Sequence, residues 1–442
     1  MKNTSLLAGF LAGVAVLSVG CSKQADQFDQ GWTPPVKVAD SIDNLVSGLH
    51  LCKFRNTIMG IQSLGKGTNK CFFLNKTNDS WNELPLIIVP EGYGTWGTTD
   101  QEKGRILFDG SDFDNEHLVA KFITETLMDD NRFQSVEGQL TKDKKTLFET
   151  TDKNVQLDSL WVGRGFISDS NIYSPYCLDG KTYRERGPFN TGVFCSTNSG
   201  ATWFTEQISS QFNAFYPLVC KSEGFYYYFG TRIVSEHGYQ LWFSRKPVNG
   251  SSWDEPKTVT KTFATTNERY DAMANNGTVH VCWMDCRDDM RRFSMEGPNI
   301  ENDDIAYCHR KDSDADWSQD VILSKGLLYS YLPSISIEEN NIVVAWAGIR
   351  TADKNHTEYD SNDIYYVTSR DGGETWSKPL MVTDKSKDGI TSGKPQVMLL
   401  NGVIHLFYIQ GTMGNSKQLS PGLTKLNKAP WPIYYTQRQF PD

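Results

Sequence analysis

From about residue 214 onward the chain is built of short apolar and aromatic runs cut by polar turns. V-H-V-C-W-M-D-C-R (279 to 287) and I-V-V-A-W-A-G-I-R (342 to 350) each lead, after a long polar loop, into D-I-A-Y (304 to 307) and D-I-Y-Y (363 to 366). F-Y-Y-Y-F-G-T-R (225 to 232) with Y-Q-L-W-F-S (239 to 244) is the same phrase. Each run is short, β-branched and aromatic, which predicts strands. A further short strand precedes each phrase, opening at A-F-Y-P (214), E-R-Y-D (268), Y-L-P (331) and G-K-P (393).

A polar turn closes each phrase. T-S-R-D-G-G-E-T-W places Ser369, Asp371, Gly373 and Trp376 at the spacing of Ser196, Asn198, Gly200 and Trp203, while N-G-S-S-W (249 to 253) and D-S-D-A-D-W (312 to 317) are worn copies. In such a turn Asp or Asn accepts from backbone N–H groups and Gly supplies a positive φ. The Trp is expected to return onto its blade as an apolar plug. Each unit thus holds four short strands, and the boxes at Trp203, Trp253, Trp317 and Trp376 recur at about 50 to 64 residues, the pattern of a propeller blade.

The expected fold is therefore all-β, a six- or seven-bladed β-propeller of four-stranded antiparallel blades. The last unit runs out of chain after P-I-Y-Y-T-Q-R-Q-F, and its fourth strand is predicted at the other end, where G-W-T-P-P-V-K-V-A-D (31 to 40) parallels T-W-S-K-P-L-M-V-T-D (375 to 384). Pairing of these two ends would close the ring and leave no open blade edge there. The interval from Trp81 to Trp203 is double the usual one. A degenerate blade near residues 93 to 150 makes seven; an insertion there leaves six.

The S-x-D-x-G-x-x-W turn resembles the Asp-box (BNR repeat) of sialidase-type β-propellers. That resemblance implies a structural role for the box, away from the active site, and an exo-sialidase-like glycoside hydrolase acting on terminal acidic sugars. It also implies a carboxylate-binding arginine triad, a Tyr nucleophile with a Glu base, and an Asp general acid, an exception to the two-carboxylate rule.

Composition agrees with many strands joined by turns, with 12 Trp, 19 Tyr, 23 Phe and 36 Gly. The net charge of −9 and the absence of a basic run argue against a nucleic-acid partner. The opening M-K-N-T-S-L-L-A-G-F-L-A-G-V-A-V-L-S-V-G-C reads as a signal peptide. Its L-S-V-G-C resembles a bacterial lipobox, so residues 1–21 are expected as leader with Cys21 lipidated, 22–30 as tether, and 31–442 as one domain, exported to the cell envelope at the outer membrane, its periplasmic face or the cell surface, where a glycan or glycoconjugate is the expected partner. A monomer anchored to the lipid bilayer is expected. Eight further cysteines permit disulfides or buried free thiols. No cofactor and no metal site are expected, and the acidic D-G-S-D-F-D-N-E (109 to 116) is read as a solvated loop in preference to a calcium site.

If the box turns lie at one end, the starts of the first strands and the loops between second and third strands gather at the other. Loops 287 to 303 and 350 to 362 are long and charged there, and such loops concentrate function. Tyr228, Trp283 and Trp346 each precede an arginine by four residues, Arg232, Arg287 and Arg350. Strand alternation puts ring and guanidinium on one face, the ring against the next blade and the cation at the rim, suited to carboxylates. E-R-Y-D stands where the family carries F-R-I-P, which makes Arg269 a fourth substrate contact. The catalytic candidates are Asp285 and Asp288 as acid, and Glu268 with Tyr270 for the nucleophilic function. Other readings are a non-catalytic glycan- or protein-binding propeller and a glycosidase for neutral polysaccharides. The former predicts arginines neutralised in their own blades; the latter needs paired cavity carboxylates.

Overall fold

The computed structural model describes residues 28–40, 49–54, 57–65, 68–75, 80–90, 98–100, 105–113, 117–130, 132–143, 156–181, 186–235, 238–260, 265–285, 304–350, 362–412 and 432–441. Among them the chain forms seven successive antiparallel blades. Blade 1 spans residues 49–88, blade 2 105–143, blade 3 156–209, blade 4 215–258, blade 5 265–322, blade 6 327–381 and blade 7 390–439. The wide Trp81-to-Trp203 interval is blade 2, a real blade with three described strands.

The predicted closure is present. Val36–Asp40 pairs antiparallel with Pro432–Gln439, with Val36 opposite Tyr435 and Asp40 opposite Pro432, so the N-terminal strand is the outer strand of blade 7. The sheets also pack face to face around the whole ring. Ile58, Leu74 and Trp81 of blade 1 share a core with Leu400, Phe407 and Tyr435 of blade 7. Phe108 and Ile123 of blade 2 pack on Met59 and Ile61 of blade 1, and Phe122 on Phe194 and Trp203 of blade 3.

The box turns form as the sequence predicts, with one difference. Asp371 Oδ1 accepts from Thr375 N (2.9 Å) and from Ser369 Oγ (2.8 Å), and Ser369 Oγ accepts from Gly373 N (2.9 Å). Asn198 holds Thr202 N in the same way at 2.9 Å. Gly200 and Gly373 both have φ of +94°, which a side chain rarely adopts. The tryptophan, however, seats against the preceding blade instead of its own. Trp203 stacks on Phe122 of blade 2, Trp317 meets Phe243 of blade 4, Trp376 meets Tyr307 of blade 5, and Trp32 meets Tyr366 of blade 6. Each box is thus a clamp between neighbours. Tyr228, Trp283 and Trp346 are likewise buried toward the preceding blade, not the next.

Cys177, Cys195, Cys220, Cys282 and Cys308 are free thiols, and burial raises all five, Cys220 to about 12. The buried-thiol alternative therefore holds for the four that are fully buried, with Cys220 half-buried beside them. In the acidic stretch, Asp109 is buried and accepts from Ser174 Oγ (3.3 Å), while exposed Asp112 pairs with Lys121. Strand alternation sends these two carboxylates to different surroundings.

Candidate functional site

The box turns share one face of the ring with the turns joining first and second strands: Gly372 N donates to Asn340 O and Ser199 N to Ser170 O. The innermost strands therefore begin at the opposite face, around the ring axis. Three of them begin with the same irregularity. Tyr216, Leu332 and Lys394 have φ of 49°, 55° and 49°, each followed by a proline, and the pairing register shifts at each point. A non-glycine residue in this region costs on the order of 1–2 kcal/mol. The effect of the three bulges is to bring these residues to the wall of one axial mouth.

That mouth is a cavity of about 300 Å³, lined also by His50, Arg164, Tyr270, Asp271, Gln396 and Tyr408. Counted from the ends of the first strands, Tyr270 holds the register of Pro217, Pro333 and Pro395. The tyrosine of E-R-Y-D thus stands where three other first strands carry proline. Tyr270 Oη donates to Tyr216 O (2.6 Å), closing the mouth wall between blades 4 and 5.

Arg164 enters the axis from blade 3, where G-R-G (163 to 165) passes against its neighbours. A Cβ on Gly163 would collide with the Pro217 carbonyl, and one on Gly165 with the Tyr173 carbonyl. Glycine on both sides lets the backbone close up and projects the arginine inward. Arg164 Nη2 donates to Asp271 Oδ1 (2.5 Å) and to Ala272 O (2.7 Å). Asp271 Oδ2 accepts from Ile335 N of blade 6 at 3.0 Å. One ion pair thereby ties blades 3, 5 and 6 across the axis. Burial pushes the Arg164 guanidinium toward deprotonation, but Asp271 outweighs it and the net shift is upward. Among the described residues only Nη2 is engaged, and the side chain is 38% exposed, so Nη1 and Nε remain for a ligand.

The predicted residues divide unevenly around this mouth. Tyr270 and its neighbour Asp271 line it. Tyr270 does not suit a nucleophile: its proton is held by a carbonyl oxygen, and burial raises its phenol well above the usual range. Arg232 lies at the end of the second strand of blade 4, outside the mouth lining. Its Nη2 donates to Gln240 Oε1 (2.9 Å), its guanidinium sits 4.1 Å over the Phe212 ring, and burial lowers its pKa. No described carboxylate pairs with it. Asp285 is buried at the end of its strand and accepts from Trp283 Nε1 at 2.9 Å. Glu268 and Arg269 fall in the strand Thr265–Asn275 and Arg350 ends the strand Asn341–Arg350, but their side chains lie outside the described residues. Asp288, Arg287 and Cys21 also lie outside them. Sequence reasoning missed Arg164 and Lys394. The signal for Arg164 was the pair of glycines flanking it.

No family model matches the chain, and no curated protein sequence does. Solved structures do resemble it. An ulvan lyase of polysaccharide lyase family PL25, bound to -[GlcA(1-4)Rha3S]-, has a TM-score of 0.50 at 9% identity over 93% of this chain and 96% of that chain. The endosialidase of phage phi92 gives 0.45 at 7%, over 93% and 70%. Trypanosoma rangeli sialidase gives 0.42 at 10%, over 91% of this chain but only 59% of its own. At these identities the likeness is one of fold.

Proposed function

We propose that this protein is an exported, lipid-anchored propeller of the Asp-box type that takes an acidic sugar of a glycan at its axial mouth and cleaves terminal sialosides as a sialidase-like glycoside hydrolase. The observation that carries this reading is Arg164, fixed through one nitrogen and open through the others, in a mouth shared with Lys394 and His50. An arginine edge suits a sugar carboxylate, and the partly exposed Tyr216 ring suits the apolar face of a pyranose. Carbohydrate-active propellers among the structural neighbours support the enzyme class. In this scheme Arg269, Arg287 and Arg350, with Arg232 farther out, add cationic contacts from the rim. Asp288 serves as general acid, protonating the leaving group, and Glu268 carries the nucleophilic function, its carboxylate attacking the anomeric carbon and water later releasing the sugar, while Asp285 accepts from Trp283 Nε1.

A second reading is glycan capture without turnover. It is favoured by Tyr270, whose proton is committed to a carbonyl, and by Asp271, the only carboxylate among the described mouth residues and already engaged by Arg164.

A fluorogenic sialoside assay across pH, run beside binding to immobilised sialylated and uronate glycans, tests both. Turnover reduced at least about tenfold by Arg164→Met supports the enzyme, a loss equal to one charge-assisted hydrogen bond. Saturable binding without turnover selects capture. Neither turnover nor binding on any acidic glycan sinks both. Metabolic labelling with a fatty-acid analogue, abolished by Cys21→Ser, tests the anchor.

A further inference from the structure

The axis carries a second cavity, of about 570 Å³, on the face opposite the mouth. Its wall includes Ser168 and Asp169, Asn275, and Glu338 and Glu339, which belong to the turns between first and second strands, on the box-turn face. Arg164 and Asp271 line both cavities, so their ion pair stands between them.

The wall carries the cations Lys53, Arg164 and Lys221 beside the carboxylates of Asp100, Asp169, Asp271, Glu338 and Glu339. Lys53 of blade 1 and Lys221 of blade 4 lie on opposite sides of the ring, each half-buried near the end of its innermost strand. Lys221 Nζ stands 5.9 Å from the Phe166 ring centre. Among the described residues neither lysine pairs with a carboxylate. The wall's acids are occupied instead. Asp100 holds Arg105 Nε at 2.9 Å, and Glu338 accepts from Asn401 N and Gly402 N at 2.7 Å each. Asp271 is held by Arg164. Asp169 and Glu339 sit on exposed turns, where solvent screens them. Two buried serines add to the donors. Ser334 Oγ accepts from Val397 N (3.2 Å) and Ser336 Oγ from Leu399 N (2.8 Å), which leaves both hydroxyl protons to be given away.

A polar cavity with half-buried ammonium groups and spare hydroxyl donors is complementary to negative charge. We propose that this lower cavity is a second binding site on the ring axis, independent of the mouth, for a small oxyanion, a sulfate or the carboxylate of a free acidic monosaccharide.

Isothermal titration of the purified protein with sodium sulfate and with sodium glucuronate tests it, at constant ionic strength made up with chloride. Saturable binding is expected, weakened about tenfold or more by Lys53→Met or Lys221→Met. Lys221→Arg restores most of the binding, and thermal midpoints close to the parent's show that the variants fold. Lys394→Met, at the opposite mouth, leaves this site intact, and because it faces away from the mouth its titration is read whether or not any glycan is cleaved. Response to sulfate alone marks an inorganic oxyanion; response to glucuronate alone marks an acidic sugar. No saturable binding of either, or binding unchanged in both lysine variants of the lower cavity, whatever Lys394→Met does, overturns the proposal.

Discussion

Arg164 and Asp271 have unequal replacements. Asp271→Asn keeps an acceptor for Ile335 N but strips Arg164 of its counter-charge in a site only partly open to water. A fully buried pair broken in this way loses about 3–5 kcal/mol; with Arg164 38% exposed, a loss of about 2 kcal/mol in urea unfolding is expected. Arg164→Met should cost less, because Asp271 retains N–H donors from Ala272 (2.8 Å) and Ile335. A second residue-scale effect belongs to His280. It is buried beside Tyr307, with Nδ1 2.7 Å from the phenol oxygen, and burial lowers its pKa from 6.5 to about 3, with the nearby His309 adding to the shift. The fold therefore keeps His280 neutral while the unfolded chain takes a proton. The stability this contributes is full above pH 6.5 and is lost as pH falls toward 3. Between pH 7 and 5 the parent should lose about 2 kcal/mol more than His280→Phe, read as the difference in urea midpoints.

At the scale of elements, the box turn shows what a short motif can and cannot say. Its hydrogen bonds follow from the residue types alone, because a carboxylate or amide oxygen four residues ahead of an N–H closes the turn whatever surrounds it. Blade 3 uses Asn198 where blade 6 uses Asp371. Asp371→Asn is therefore expected within about 0.5 kcal/mol of the parent, and Asp371→Ala to lose about 1 kcal/mol. Hydrogen bonds from Thr375 and Ser369 lower the Asp371 carboxyl to about 2. Its contribution is present above the ordinary value of 3.8 and disappears as pH falls through about 2, so the gap between the parent and Asp371→Ala should close in that window. Where the tryptophan goes is another matter. The motif fixes that it leaves the turn, but only the neighbouring blade supplies the ring it meets. The strand-one bulges illustrate the same limit: A-F-Y-P, Y-L-P and G-K-P marked strand starts, yet the positive φ before each proline depends on pairing that a single strand does not have.

For the whole molecule, the N-terminal segment holds the seam of the ring. Asp29 binds Tyr366 of blade 6 and Arg438 of blade 7, and Trp32 sits edge-on to Tyr366 at 5.3 Å between centroids. Trp32→Ala should destabilise the protein by about 2 kcal/mol, less than the 3–5 of a fully buried aromatic since Trp32 is only half-buried. Urea unfolding beside Phe204→Ala, at an exposed outer strand, checks it; equal losses from the two would mean that the seam carries no special share.

What the sequence by itself determined was the repeating unit and the closure, because strand periodicity, turn chemistry and the matching of the two chain ends are local properties written in consecutive residues. It also placed the strand-one starts at the end opposite the box turns, since antiparallel topology leaves no other end for them. The seventh blade needed packing to decide it, as residues 105–143 carry no described box of their own. So did the site. Arg164 and Asp271 are 107 positions apart and come from blades that are not neighbours in the ring, and the donors of the lower cavity come from blades 1, 3, 4 and 6. A ring brings together at its axis residues that share no local pattern, and which of them meet is fixed only when every blade has found its place.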